Sequence, residues 1–163
     1  MPAPWSHCHF CGAAFPDPDA GWPRTCAVCG NTTYRNPLPV AVLVVPVAAE
    51  GLLLVERSIP PIGPALPGGF VELGEDWRDA AARELREETG IRVAAEDVSE
   101  HRVLSAPDGT LLVFGSAPPV DPDALAAFVS SDEASGLTVA RGPRDDIVFP
   151  LHAQVVRDWF ATR

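Results

Sequence analysis

The chain has 163 residues and a mass of 17.3 kDa, which is enough for one substantial domain and a small module. Its formal net charge is −10, with 12 arginines and no lysine, and this balance argues against a surface that binds duplex nucleic acid. The sequence contains neither a run of 18 apolar residues nor a signal-peptide pattern, so we expect a soluble, cytoplasmic protein without membrane association.

Two cysteine pairs lie near the N-terminus, each with C-x2-C spacing and each followed directly by a glycine that permits a tight turn. The cysteines are Cys8, Cys11, Cys26 and Cys29. This spacing in a cytosolic protein predicts a tetrahedral zinc site made of four cysteines, in a zinc ribbon over residues 1–33. Disulfides are the alternative, which a reducing compartment disfavours. His7 or His9 could replace one cysteine, although four thiolates already complete the shell.

The zinc is expected to be structural. A ribbon of this size buries little core, so the metal would supply folding free energy. A catalytic zinc site would keep one coordination position open, and four thiolates leave none.

Two apolar segments follow, from Pro39 to Val47 and from Gly51 to Val55. Pro46 and the Glu50-Gly51 turn bound them, and the pattern predicts the two strands of a hairpin with at least one buried face. Arg57, after the second strand, could contact a phosphate, but a solvated arginine at a strand end is the simpler interpretation.

A helix is predicted over residues 77–89, with Asp76 as its N-cap and Gly90 just after its end. Within it Glu84, Glu87 and Glu88 share one face, because they stand at i, i+3 and i+4. Adjacent carboxylates repel one another unless cations lie among them, and Mg²⁺ and Mn²⁺ prefer oxygen ligands. Arg83 can reach Glu87 at i+4 and orient it. A solvated acidic helix face is the alternative.

The spacing around this helix resembles the Nudix box, G-x5-E-x7-R-E-U-x-E-E-x-G-U, in which U is aliphatic. All nine specified positions are filled, by Gly69, Glu75, Arg83, Glu84, Leu85, Glu87, Glu88, Gly90 and Ile91. Nine matches at fixed spacing argue against the solvated acidic face.

The resemblance implies an α/β fold: a Nudix α/β/α sandwich with a mixed β-sheet over residues 34–163, preceded by the small four-cysteine zinc ribbon. It implies hydrolysis of a nucleoside diphosphate linked to another moiety. Glu84, Glu87 and Glu88 match the family's Mg²⁺ or Mn²⁺ ligands, and Glu75 matches a further glutamate of the metal shell in some members. The backbone carbonyl of Gly68, just before the box, matches a further metal ligand in relatives. Homodimers are common among relatives, so a homodimer is possible here.

The zinc ribbon and residues 34–39 narrow the resemblance to the branch with NADH pyrophosphatases and zinc-ribbon ADP-ribose or FAD pyrophosphatases. NADH pyrophosphatases carry SQPWPFPxS after the box, whereas residues 104–109 here are LSAPDG. ADP-ribose or a similar nucleotide sugar is therefore the first expected substrate, FAD the second and NAD(H) the third. A non-catalytic nucleotide sensor is the alternative from another class.

Later segments predict a strand from Ile91 to Val103, a turn at Asp108-Gly109 and a strand from Thr110 to Phe114. The remaining predicted elements are a short helix from Asp121 to Val129, a strand from Gly136 to Ala140 and an amphipathic helix from Phe149 to Phe160. The core-facing residues expected in this last helix are Leu151, Val155, Val156 and Trp159.

The loop over residues 130–135 contains the candidate general base. Nudix enzymes often draw this base from a late glutamate outside the box, which favours Glu133. An ordinary solvent-exposed acid is the alternative, and Asp132 competes for the role. His152, in the last helix, is expected to be a surface or packing residue.

Overall fold

The computed structural model describes residues 5–17 and 19–162. The chain divides into two compact units, Met1–Pro37 and Leu38–Arg163. Within the described ranges, no helix is both long enough and apolar enough to cross a membrane.

The N-terminal unit is built around its two cysteine turns. The N–H of Gly12 donates to Cys8 O and the N–H of Gly30 donates to Cys26 O, each over 2.9 Å. Both glycines have a φ of 73°, which confirms that the turns use a conformation that favours glycine. Strands β1 (Arg24–Thr25) and β2 (Thr32–Thr33) pair antiparallel and complete the ribbon.

The C-terminal unit contains two sheets. Its strands are β3 (Leu38–Val44), β4 (Pro46–Val47), β5 (Gly51–Arg57), β6 (Gly63–Ala65), β7 (Gly68–Phe70), β8 (Ser99–Ser105), β9 (Thr110–Ser116) and β10 (Ala134–Ala140). The first sheet has the order β7-β3-β9-β8, and it is mixed because β3 pairs antiparallel with β7 and parallel with β9. The second has the order β10-β5-β4, with β6 also paired to β5.

The prediction that Pro39 to Val47 forms one arm of a hairpin is wrong for most of this segment. Only β4 pairs with β5 as a hairpin arm, whereas β3 lies in the other sheet between β7 and β9. Residues 41–44 of β3 are all buried, on both faces of the strand. A strand covered on both faces cannot leave its backbone groups to water and so takes partners on both edges.

Two helices cover opposite faces of this sheet. Helix α1 (Trp77–Thr89) packs Ala80, Ala81 and Leu85 against Ala41 and Leu43 of β3. Helix α2 (Pro150–Ala161) packs on the alternate residues of β3, through the apolar face that the sequence predicts. Its members in that core are Leu151, Ala153, Val155, Val156, Trp159 and Phe160. The α/β/α arrangement is thereby confirmed.

The ends of α1 are those that the sequence predicts. The Asp76 side chain accepts a hydrogen bond from the Arg78 N–H, and Gly90 has a φ of 77° while its N–H donates to Arg86 O. Both caps satisfy backbone groups that the helix itself leaves free.

The strand predicted from Ile91 starts eight residues later, at Ser99. Ile91 and Val98 are buried in the α1 core, and the Ile91 N–H donates to Thr89 Oγ1, so this segment turns back toward the helix. A 3₁₀ turn at Ala95–Asp97 follows. The β8–β9 hairpin through Gly109 is confirmed, and Asp121 caps a 3₁₀ helix, Pro122–Ala127, where a short helix was expected.

Candidate active site

Arg83 holds three glutamates of the box together. Its Nε and Nη2 donate to the two carboxylate oxygens of Glu75 over 2.9 and 3.1 Å. Its Nη1 donates to Glu84 over 2.7 Å and to Glu87 over 3.2 Å, and Nη2 also reaches the Phe70 carbonyl over 3.0 Å. The expected contact with Glu87 is confirmed. The contacts with Glu75 and Phe70 join helix α1 to the loop and strand before it.

Glu88 is held by the backbone of β7. Its Oε2 accepts a hydrogen bond of 2.9 Å from the Gly68 N–H. Burial, reinforced by the charge of Glu84, raises the pKa of Glu88 to about 7, although the Gly68 hydrogen bond opposes this shift. A neighbouring cation would favour the charged carboxylate.

The glycines of β7 allow close approach on both sides. A β-carbon on Gly68 would lie 2.3 Å from the Ala41 carbonyl oxygen, and the φ of Gly68 is 154°. A β-carbon on Gly69 would lie 2.4 Å from the carboxyl group of Glu84. The pair therefore lets β7 fit between β3 and the acidic face of α1.

Charges from outside the box act on the same carboxylates. Burial raises the pKa of Glu84 against the opposing hydrogen bond from Arg83, and the charge of Glu133 contributes to the raised pKa of both Glu84 and Glu88. Glu133 lies directly before β10, where its carbonyl accepts a hydrogen bond of 2.8 Å from the Ser58 N–H. The negative charge of this loop glutamate therefore acts on two carboxylates of the box.

Arg57 also acts on this region. Its charge lowers the pKa of Glu88, opposing the effect of burial. The guanidinium donates to the Pro61 carbonyl over 3.0 Å and lies 5.1 Å from the centre of the Phe149 ring. Arg57 is the last residue of β5 and remains partly exposed, and the carbonyls of the following proline-rich loop and an aromatic face hold its side chain.

The box carboxylates offer oxygen ligands of the kind that Mg²⁺ and Mn²⁺ prefer. The described histidine, cysteine, aspartate and glutamate residues contain one group of three or more whose ligand atoms all lie within 4.8 Å of one another, and this group is the four cysteines. The glutamate carboxylates are instead hydrogen-bonded to Arg83, in the case of Glu75 and Glu84, and to the Gly68 N–H, in the case of Glu88. The carboxylate oxygens of the box are chemically suited to binding a divalent cation.

The four cysteines fit zinc by their geometry as well. The Sγ atoms of Cys8 and Cys29 are 3.7 Å apart, as are those of Cys11 and Cys26, and all four thiols are free. Zn–S bonds of about 2.3 Å in a tetrahedron place sulfur atoms roughly 3.8 Å apart. Both distances are longer than the roughly 2.05 Å of a disulfide bond.

Both neighbouring histidines have other contacts. His7 Nδ1 lies 2.8 Å from Ser6 Oγ. The ring centre of His9 is 4.8 Å from that of Trp5. The cysteines alone therefore make up the cluster, as the C-x2-C spacing predicts.

The NUDIX domain family model matches residues 37–147. Among curated proteins, a NAD-capped RNA hydrolase NudC from Photobacterium profundum is 34% identical over 89 residues, which are 54% of this chain and 33% of that protein. The human NAD-capped RNA hydrolase NUDT12 is 32% identical over 99 residues, 55% of this chain and 21% of that protein. The matched segment thus spans a third or less of these relatives.

Solved structures show the same fold. A NUDIX hydrolase from Nitrosomonas europaea superposes with a TM-score of 0.77 at 27% identity, over 97% of this chain and 92% of that one. A bifunctional NMN adenylyltransferase/ADP ribose pyrophosphatase from Francisella tularensis, complexed with AMP and a Mn ion, gives a TM-score of 0.65 at 23% identity. That match covers 79% of this chain and 42% of the Francisella chain.

Proposed function

The chain belongs to the Nudix family of hydrolases, and from this premise we propose that it cleaves the pyrophosphate bond of a nucleoside diphosphate derivative. The observation that carries the proposal is the arrangement of its box glutamates. Arg83 binds Glu75, Glu84 and Glu87, while the Gly68 N–H binds Glu88. Two anchors thus hold four carboxylates where β7 meets helix α1.

We propose Glu84, Glu87 and Glu88 as the ligands of Mg²⁺ or Mn²⁺, with Glu75 and the Gly68 carbonyl completing the set. When bound, such an ion neutralises phosphate charge and polarises the attacking water. Arg83 acts as a positioning residue, since it fixes carboxylates through a rigid planar fork. The Gly68 N–H does the same for Glu88.

Glu133 is the proposed general base. Its carboxylate would accept a proton from water as the water oxygen bonds to one phosphorus and the bridging P–O bond breaks. Two phosphate monoesters result. Support for this role comes from the charge coupling of Glu133 to both Glu84 and Glu88 across the sequence.

The proposed substrate is ADP-ribose or a similar nucleotide sugar. Residues 104–109, which do not match the NADH pyrophosphatase pattern, end β8 and form the turn into β9. A second candidate is NAD(H), with FAD as a further one. NAD(H) is favoured by the curated relatives, which are named NAD-capped RNA hydrolases.

For the ribbon, we propose a four-cysteine site that holds Zn²⁺ in a structural role. The four sulfur atoms leave no open position for a substrate, and the small core of this unit consists of Cys8, Phe15 and Cys26, with Ala13 and Trp22 packed against them.

A substrate panel tests the proposed activity. The full chain is assayed with Mg²⁺ or Mn²⁺ against ADP-ribose, NADH, FAD, nucleoside triphosphates and sugar nucleotides, with products resolved by chromatography and Glu88→Gln protein as the control. AMP and ribose 5-phosphate from ADP-ribose are expected. AMP and reduced nicotinamide mononucleotide as the main products would select the second candidate. Nucleotide binding without turnover under both metals would contradict catalysis and support a sensor.

A further inference from the structure

A cavity of about 460 Å³ opens beside helix α1. Its wall contains three arginines, Arg83, Arg86 and Arg92, one carboxylate, Asp79, and apolar side chains such as Val93. None of the four box glutamates lines it. The cavity is therefore separate from the proposed metal-binding carboxylates, with Arg83 shared between the two.

The helix and the turn after it bring these residues together. Asp79, Arg83 and Arg86 follow one another by four and three positions in α1, so they share one helix face. Gly90 then reverses the chain in a left-handed conformation, with a φ of 77°. This reversal places Arg92 and Val93 alongside the same face.

The charge of this wall is opposite to that of the chain. The protein carries 22 acidic residues and 12 arginines, yet the cavity gathers three arginines around one aspartate. Glutamates neutralise Arg83, but Arg86 uses only Nη2 in its contact with Glu87, over 3.2 Å. Within the described ranges, Arg92 makes no hydrogen bond or ion pair, and it is exposed. Clustered cations with free donors attract an anion.

We infer that this cavity binds a phosphate group. The planar fork of a guanidinium matches two phosphate oxygens, and two such forks from Arg86 and Arg92 can hold one phosphate from two sides. The volume exceeds that of the anion alone and leaves room for the group that carries it. The inference does not depend on the proposed hydrolysis, since none of the box glutamates lines this cavity and the arginines that would bind the phosphate are Arg86 and Arg92.

Calorimetric titration of the zinc-loaded full chain with inorganic phosphate, without added Mg²⁺ or Mn²⁺, tests the site. Saturable binding is expected, and Arg92→Gln or Arg86→Gln should weaken it about tenfold, because each substitution removes charge-assisted hydrogen bonds. Arg157→Gln is the control, since Arg157 is an exposed helical arginine outside the cavity and its replacement changes the net charge equally. Thermal unfolding of each variant checks that the fold is retained.

Competition identifies the source of the phosphate. NAD⁺ and NADP⁺ differ by one 2′-phosphate, so displacement of inorganic phosphate by NADP⁺ alone would assign the cavity to a phosphate carried by a nucleotide. Displacement by neither would assign it to free phosphate. Binding that is not saturable, or that is equally strong in both cavity variants and the wild type, would overturn the inference.

Discussion

Gly69 and the carboxylate of Glu84 occupy adjoining space so closely that no side chain fits between them. A β-carbon on residue 69 would lie 2.4 Å from the Glu84 carboxyl carbon. The first glycine of the box therefore has a packing role, since it lets strand β7 lie against an acidic side chain of helix α1.

Gly69→Ala should lower turnover while the unfolding midpoint changes little. The added methyl group displaces the Glu84 carboxylate, and a shift of about 1 Å in a catalytic group costs about 100-fold. Steady-state kinetics of the variant measure this. Gly142→Ala is the control, because a β-carbon there meets no atom within 4 Å. Normal turnover in Gly69→Ala would show that Glu84 does not need its present position.

Glu88→Gln and Glu84→Gln should leave the fold intact and reduce turnover by more than the roughly 100-fold that loss of an outer-shell partner costs. An amide keeps the shape of the side chain but not the negative charge that a divalent ion requires. Steady-state turnover measures the loss of activity, and Mn²⁺ affinity measures the loss of metal binding. Near-normal activity in either variant would refute the proposed metal site.

Glu133→Gln should reduce turnover about 10²- to 10⁴-fold, which is the range for loss of a general base. Asp132→Asn is the matched control, since it removes the same charge from the neighbouring residue of one loop. The dependence of turnover on pH is the measurement, because the limb belonging to the base should disappear in Glu133→Gln. A larger effect in Asp132→Asn would assign the role to Asp132 instead.

Cys26→Ser should release zinc and lower solubility. Cys26 is buried, and its sulfur lies 3.7 Å from that of Cys11, so serine cannot replace it in a thiolate set. Metal content by mass spectrometry and the soluble fraction after expression measure the result. A variant that stays folded and fully loaded with zinc would disprove the four-cysteine site.

His152 should make the protein sensitive to acid. It is 5% exposed, and burial lowers its pKa from 6.5 to about 3. Between those values the unfolded chain binds a proton that the folded chain excludes, so the free energy of unfolding falls with decreasing pH by about 1.4 kcal/mol per unit. Above this window both states are neutral at this position and no such loss occurs.

Denaturant unfolding of the wild type and His152→Phe across this window measures the difference. The variant should lose less stability on acidification, while a comparison under mildly alkaline conditions isolates the change in packing. Equal pH dependence in both proteins would show that His152 is not the responsible group.

The ends of α1 could be predicted from the sequence because their causes are local. Asp76 and Gly90 act on backbone groups within the same turn of chain. The partners of β3 could not be predicted in this way. Its apolar run fits a hairpin arm or a central strand equally well, and only packing against α1 and α2 decides between them.

In the candidate site too, some contacts follow from local sequence spacing and others depend on the position of β7. Spacing along the helix indicated that Arg83 reaches Glu87, and the structure contains that contact. The bond from Arg83 to the Phe70 carbonyl and the approach of Gly69 to Glu84 depend on where β7 lies, which no local pattern specifies. The spacing of the box therefore identifies which side chains matter, but not how the backbone before the helix holds them.

The parallel pairing of β3 with β9 has a consequence for synthesis on the ribosome. Strand β3, residues 38–44, cannot pair with β9 until residues 110–116 have been synthesised. The whole box lies between these two strands in the sequence. Pairing between strands that are distant in sequence slows folding, because the chain loses the entropy of loop closure before the stabilising contacts form. A nascent chain that has emerged only through the box thus carries every glutamate of the motif before the sheet that supports them is complete.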